Sequence, residues 1–225
     1  IRDSSSSSES DDFRSFYKAL SKSRENVEYK DIISILESID DEFSEKWLFL
    51  GKLYFANGSF VEAEYSFKEY LEHYPGNRRV SIYLANAQVQ KKSYEESLEI
   101  LESLVKNTGN APIIDQMFAE VAFKAKRYSK AKIHTDSATA AGFKSPIVDY
   151  ISAISSFYLG LYEQSFDSLQ SIPNIVSKNQ TLRNLEMLLL IRLGYELDTT
   201  NSNGMVEGGL GENIAISLLL KGQRA

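Results

Sequence analysis

The sequence predicts an all-α fold, an α-solenoid of stacked helix-turn-helix repeats, about four to five pairs with a C-terminal capping helix. Three observations predict it. An aromatic residue recurs at Phe60, Tyr94, Tyr128 and Tyr162, each 34 residues after the last, and a fixed period of this length marks a repeated supersecondary unit. Apolar residues around each aromatic fall at helical spacing. The chain holds 12 Gly and only 4 Pro in 225 residues, too few for a turn-dense sheet protein and well suited to long helices.

Residues 1–12 contain the segment Asp3-Ser-Ser-Ser-Ser-Ser-Glu-Ser-Asp-Asp12, which is poor in apolar residues and negatively charged; composition alone predicts a disordered, Ser-rich tether. Phe13, Phe16, Tyr17 and Leu20, then Ile32, Ile33, Leu36 and Ile39, form two amphipathic stripes across a polar break. Tyr29 stands 31 residues before Phe60, so 13–43 reads as a divergent first repeat.

The second repeat, 44–77, carries the most specific pattern. Trp47, Leu50, Gly51 and Tyr54 share one helical face; Gly58 and Phe60 mark a turn and a second helix; Ala63 and Phe67 follow, and Pro75 closes the unit. Gly51 and Ala63 are small enough to let two helices approach closely, and Pro75 cannot continue a helix interior. The frame returns in 78–111 as Leu84, Ala85, Gln88, Tyr94, Ser97, Leu101 and Leu104. It returns again in 112–145 as Phe118, Ala119, Ala122, Tyr128, Ala131 and Ala138, where KRYSKAK replaces NGSFVEAE. In 146–178 it gives Ala153, Gly160, Tyr162, Ser165, Leu169 and Pro173.

Beyond Pro173, residues 179–221 read as a last pair. A helix over 180–197 turns Leu182, Leu185, Leu188, Leu189 and Leu193 inward, and a Gly-rich loop at 201–211 separates it from an apolar helix over 212–221. That loop lacks the Lys-Ser/Thr and the preceding strand of a phosphate-binding loop. The apolar end at Leu218–Leu220 is expected to fold back on the array or to meet a partner, and 222–225 is a tail. Residues 13–221 are expected to form one domain.

In words, the pattern is W-x2-L-G-x2-Y, A-x3-F, P. It resembles the tetratricopeptide repeat family, over 44–173 most clearly and over 13–43 and 174–221 more weakly. The resemblance implies that the solenoid is a right-handed superhelix and that the first helices of successive pairs line a concave groove. It places Leu48, Lys52 and Phe55 there from one repeat and Ile82, Asn86 and Val89 from the next. Gln116, Glu120 and Phe123, then Tyr150, Ile154 and Phe157, complete the rows. Aromatic and aliphatic rows of this kind suit capture of a helix or an extended segment, with Lys52, Asn86 and Gln116 bonding its backbone. Leu48 and Lys52 stand where the chaperone-tail-binding subclass has Lys and Asn, so a carboxylate clamp is not expected.

The implied function is a protein-protein interaction scaffold or adaptor that binds a partner segment and aids assembly of a multiprotein, envelope-associated complex. The alternative is a structural subunit that oligomerises, or packs into a larger machine, through its solenoid ends. Because the chain starts at Ile1, an upstream segment is expected to have been removed, a membrane tether among its readings. A bacterial envelope or periplasmic setting is preferred, with the cytoplasm as alternative.

Chemistry beyond binding finds little support. Net charge is −6, with no long run of Lys and Arg, so nucleic acid is not an expected partner. No cysteine is present. His73 and His134 are the only histidines, lie in different repeats, and read as surface helix residues. Asp40–Asp41 and Glu95–Glu96 read as solvated helix ends. No enzymatic activity, cofactor or metal is expected. The apolar runs Met187–Ile191 and Ile216–Leu220 are far too short to span a bilayer.

Overall fold

The computed structural model describes residues 3–23, 28–108 and 111–194. Among these residues all regular structure is helical. The order is α1 (Asp3–Lys22), α2 (Tyr29–Glu37), α3 (Glu45–Ala56), α4 (Phe60–His73), α5 (Arg78–Gln90) and α6 (Tyr94–Thr108). There follow α7 (Pro112–Lys124), α8 (Tyr128–Ala140), α9 (Pro146–Tyr158), α10 (Tyr162–Gln170), the single turn α11 (Pro173–Val176) and α12 (Gln180–Leu193). Residues 195–225 lie outside the described residues, and with them the predicted Gly-rich loop and the 212–221 helix. Packing groups the chain into two compact units, Ile1–Leu104 and Val105–Ala225. Such a division suits repeats that bury their apolar faces on immediate neighbours instead of one shared core.

The aromatic period has a structural cause. Phe60, Tyr94, Tyr128 and Tyr162 are each the first residue of the second helix of a hairpin. Just before each lies a left-handed residue: Gly58 (φ 81°), Lys92 (φ 64°), Lys126 (φ 58°) and Gly160 (φ 76°). The hydrogen bonds around these residues are the same at every turn. Gly58, Lys92, Lys126 and Gly160 donate their N–H groups to the carbonyls of Phe55, Val89, Phe123 and Phe157. Ser59, Ser93, Arg127 and Leu161 reach back five residues to Tyr54, Gln88, Ala122 and Ser156. This paired closure satisfies carbonyls that a helix end otherwise leaves open.

Inside each hairpin the helices meet at a small residue. A Cβ on Gly51 would sit 2.5 Å from Cε1 of Phe67. Ala85, Ala119 and Ala153 take the same place in the other hairpins and are buried. Facing them stand Ala63, Ser97, Ala131 and Ser165, all buried. Where the facing residue is serine, its hydroxyl donates across the hairpin, Ser97 to the Ala85 carbonyl at 3.0 Å and Ser165 to the Ala153 carbonyl at 2.7 Å.

In the first unit Ile32, Leu36, Leu50, Phe67, Val80 and Leu84 anchor the core. α1 joins it through Phe13 and Phe16, whose rings lie 5.1 and 5.2 Å from that of Phe43. Backbone at residues 3–12, where composition suggests a tether, is helical in α1, and Asp12 accepts a bond from the Asp40 N–H at 3.3 Å. Serine costs a helix only a few tenths of a kcal/mol per residue, roughly, and acidic side chains favour a helix N-terminus. Lys46, 1 % exposed, pins the α2–α3 connection by donating to the Ile39 carbonyl and to Asp41 Oδ1, both at 2.5 Å. Trp47 Nε1 donates to the Asp41 carbonyl at 3.2 Å.

The second unit packs α7 on α8, α8 on α9 and α9 on α10, with α12 against α10. Ala153, Leu169, Leu182, Leu185 and Leu189 form its distal core. Gly194, left-handed at φ 86°, caps α12. No helix among the described residues is long and apolar enough to cross a membrane.

Candidate partner-binding faces

Residues predicted to contact a partner come from the first helix of each hairpin, at three repeating positions. In the first unit, Leu48 and Phe55 are half-buried on α3 and pack against the core, with Lys52 exposed between them. Phe55 meets Phe60 edge-on across the turn, centroids 5.4 Å apart. Lys52 Nζ reaches over the ring of Tyr83, 5.4 Å from its centroid on α5, so α3 and α5 present neighbouring faces. Ile82 and Asn86 are half-buried on α5. Val89 is 8 % exposed and belongs to the core. A β-branched aliphatic takes the place that phenylalanine holds in the other three repeats, and it is too short to reach out of the hairpin.

In the second unit, Gln116 Nε2 donates to Glu120 Oε1 at 2.8 Å along α7. Phe123 sits edge-on to Tyr128 across its own turn at 6.1 Å and edge-on to Tyr150 of α9 at 5.8 Å. Tyr150, Ile154 and Phe157 are half-buried against the core, and Phe157 tilts against Tyr162 at 6.0 Å. The residues predicted on α7 and α9 therefore touch through Phe123 and Tyr150. The faces of α3 and α7 combine a half-buried phenylalanine, Phe55 or Phe123, which offers apolar area without a large entropic cost on ordering, with polar side chains, Lys52 or Gln116 and Glu120, that can bond an incoming backbone.

Two charged features support these faces. Glu64 on α4 is bonded by Lys68 at 2.6 Å and by Lys91, the C-cap of α5. Burial raises the Glu64 carboxyl, but the two lysines outweigh it and hold the group below the ordinary carboxylate value. Tyr54 donates its hydroxyl to Glu37, which ties α3 to α2. Burial, reinforced by that carboxylate, pushes the phenol well above its ordinary value.

Three features were not anticipated from sequence. Tyr83 supplies the ring under Lys52. Lys46 is buried, where periodicity alone gives a helix-start lysine. His134 is not a free surface residue: its ring stacks on Phe118 at 3.8 Å, and Nδ1 lies 2.7 Å from Oδ1 of buried Asp115. Ser137 Oγ donates to the other oxygen of Asp115 at 2.9 Å. Through the two oxygens of the Asp115 carboxylate, His134 and Ser137 join α8 to α7. The signal for it is a hydrophobic frame broken at one position by Asp115. His73 is exposed. Among the described residues, no three His, Asp or Glu side chains converge as metal ligands.

Residues 54–117 match the family model described as Tetratricopeptide repeat. No curated protein matches the chain. Several solved structures do share its fold. The crystal structure of MamA protein superposes with a TM-score of 0.61 at 12% identity, over 78% of this chain and 88% of that one. MamA from Desulfovibrio magneticus RS-1 gives 0.61 at 14% identity, over 80% and 96%. MamA AMB-1 gives 0.59 at 17% identity, over 71% and 95%. At such identities the likeness is one of fold.

Proposed function

We propose that this chain, a tetratricopeptide-repeat protein, is an interaction scaffold whose first-helix faces hold a segment of a partner protein. The observation that carries the reading is that one predicted face residue in each unit reaches the next first helix, Lys52 over the ring of Tyr83, which was not predicted, in the first and Phe123 to the predicted Tyr150 in the second. A side chain that bridges neighbouring repeats while half-exposed offers a partner a continuous row instead of isolated ridges. Leu48, Phe55, Tyr150 and Phe157 supply apolar area in these rows. Lys52, Asn86, Gln116 and Glu120 supply hydrogen bonds that set the direction of the bound chain. Val89 takes no part, being enclosed.

The test places a photoreactive side chain at Lys52 or at Gln116 and maps crosslinks formed in native extract. Crosslinks from each position that fall on a defined segment of a partner protein, those from Lys52 dropping at least about tenfold with Phe55→Ala and those from Gln116 with Phe157→Ala, are the expected outcome. Crosslinks scattered over many proteins and indifferent to both substitutions would discard the reading. The competing role, a subunit that assembles through the array's ends, predicts that deletion of 212–225 changes the oligomeric state while the crosslinks persist.

A further inference from the structure

The turn joining α7 to α8 differs in charge from its three counterparts. α4, α6 and α10 carry acidic residues in their first turns, Glu62, then Glu95 and Glu96, then Glu163, which suits the positive end of a helix dipole. α8 carries none. Lys130 stands there instead, preceded by Lys124, Lys126 and Arg127, so four cations fall within one short stretch of a chain whose net charge is −6. Lys126 and Lys130 are exposed and form no ion pair among the described residues. Lys126 and Lys130 therefore leave two positive charges open to an outside anion.

Beside these cations opens a cleft of about 300 Å3, lined by Lys126, Arg127, Tyr128, Ser129, Lys130 and Leu159. Its apolar wall comes from the next hairpin. Leu159 is 39 % exposed and Tyr158 61 % exposed, and Tyr158 stacks flat on Tyr128, centroids 4.3 Å apart and planes 7° from parallel. A cationic rim thus faces an aromatic and aliphatic ledge, wholly within the Val105–Ala225 unit.

We propose that this cleft docks an acidic peptide segment of a partner protein, carboxylates on Lys126 and Lys130 and one aliphatic side chain against Leu159 and the Tyr128–Tyr158 pair. The pairing of chemistries selects the occupant. A free anion has no use for the ledge. A nucleic acid needs cations spaced along a track of phosphates, whereas here they occupy a single turn of a chain whose remaining charge repels a long polyanion. Exposed ion pairs are individually weak, so the apolar anchor supplies hold while the cations supply steering and selectivity.

The experiment is fluorescence anisotropy of the whole chain with a short labelled peptide of Asp and Glu around a single Leu. Two controls accompany it, the same peptide with Leu replaced by Ser, and a labelled DNA duplex. The Leu peptide is expected to bind, to weaken at least about tenfold with the Lys126→Glu, Lys130→Glu double variant and several-fold with Leu159→Ser, and to weaken with added salt. Circular dichroism confirms that each variant is folded. Phe55→Ala should leave this binding unchanged, which separates this cleft from the first-helix faces. Equal affinity for the Ser peptide, equal or tighter binding of DNA, or indifference to the double variant would overturn the proposal.

Discussion

Lys92 and Lys126 hold a backbone conformation that a side chain disfavours, at the turn position that Gly58 and Gly160 occupy in the outer two hairpins. The left-handed region costs a residue with a Cβ roughly 1–2 kcal/mol, and glycine enters it freely. Lys92→Gly is therefore expected to stabilise the protein by about 0.5–1 kcal/mol, less than the full strain because glycine also widens the unfolded ensemble. Gly58→Ala is expected to cost about 1 kcal/mol. Denaturant unfolding followed by circular dichroism reads both, and a loss of stability on Lys92→Gly would mean that the lysine side chain contributes more than its strain removes. These positions also show what sequence conveys. Glycine at 58 and 160 announces a left-handed turn, and the aromatic two residues later confirms the register. Lysine at 92 and 126 hides the same geometry, because its backbone is imposed by the neighbouring helices and not by its own preference.

At the scale of elements, α4 and the end of α5 are held together by Glu64 with Lys68 and Lys91. The carboxyl is depressed in the folded state, so its contribution is fully present above the ordinary carboxylate pKa and is lost as pH falls through the lower folded value. Lys68 is largely exposed, and screening keeps the whole effect to about 1 kcal/mol or less. Glu64→Gln should lower the midpoint of thermal unfolding at neutral pH and leave a shallower decline on acidification than the unsubstituted chain shows. Identical acid limbs would mean that the lysines stabilise the helix ends without this carboxylate. Periodicity placed the hairpins, their turns and the small residues where helices cross, because those depend on spacing. It did not place Val89 in the core or tie His134 to Asp115, since each depends on which neighbouring side chain is long enough to cover it. The helical backbone of 3–12 escaped for a related reason: composition reports the lack of apolar anchors in that stretch and not the packing of Phe13 and Phe16 just beyond it.

For the molecule as a whole, stability is a sum over adjacent hairpins, so a local lesion should fade with distance along the chain. Gly51→Ala drives a methyl group into the Phe67 ring and is expected to cost about 1–3 kcal/mol. Amide hydrogen exchange should show the loss greatest in α3 and α4, smaller in α5, and near zero in α9 and α10. Uniform loss across all helices would mark the protein as a single cooperative body. The bonds that close each hairpin bear on how such a chain can lengthen or shorten. A gain or loss of one whole period returns every serine hydroxyl to a carbonyl and every left-handed residue to its turn. A single residue slipped into α5 or α9 between the small position and the turn rotates all that follows by about 100°, and swings Ala85 or Ala153 out of reach of its serine. Length variation in this architecture is thereby quantised.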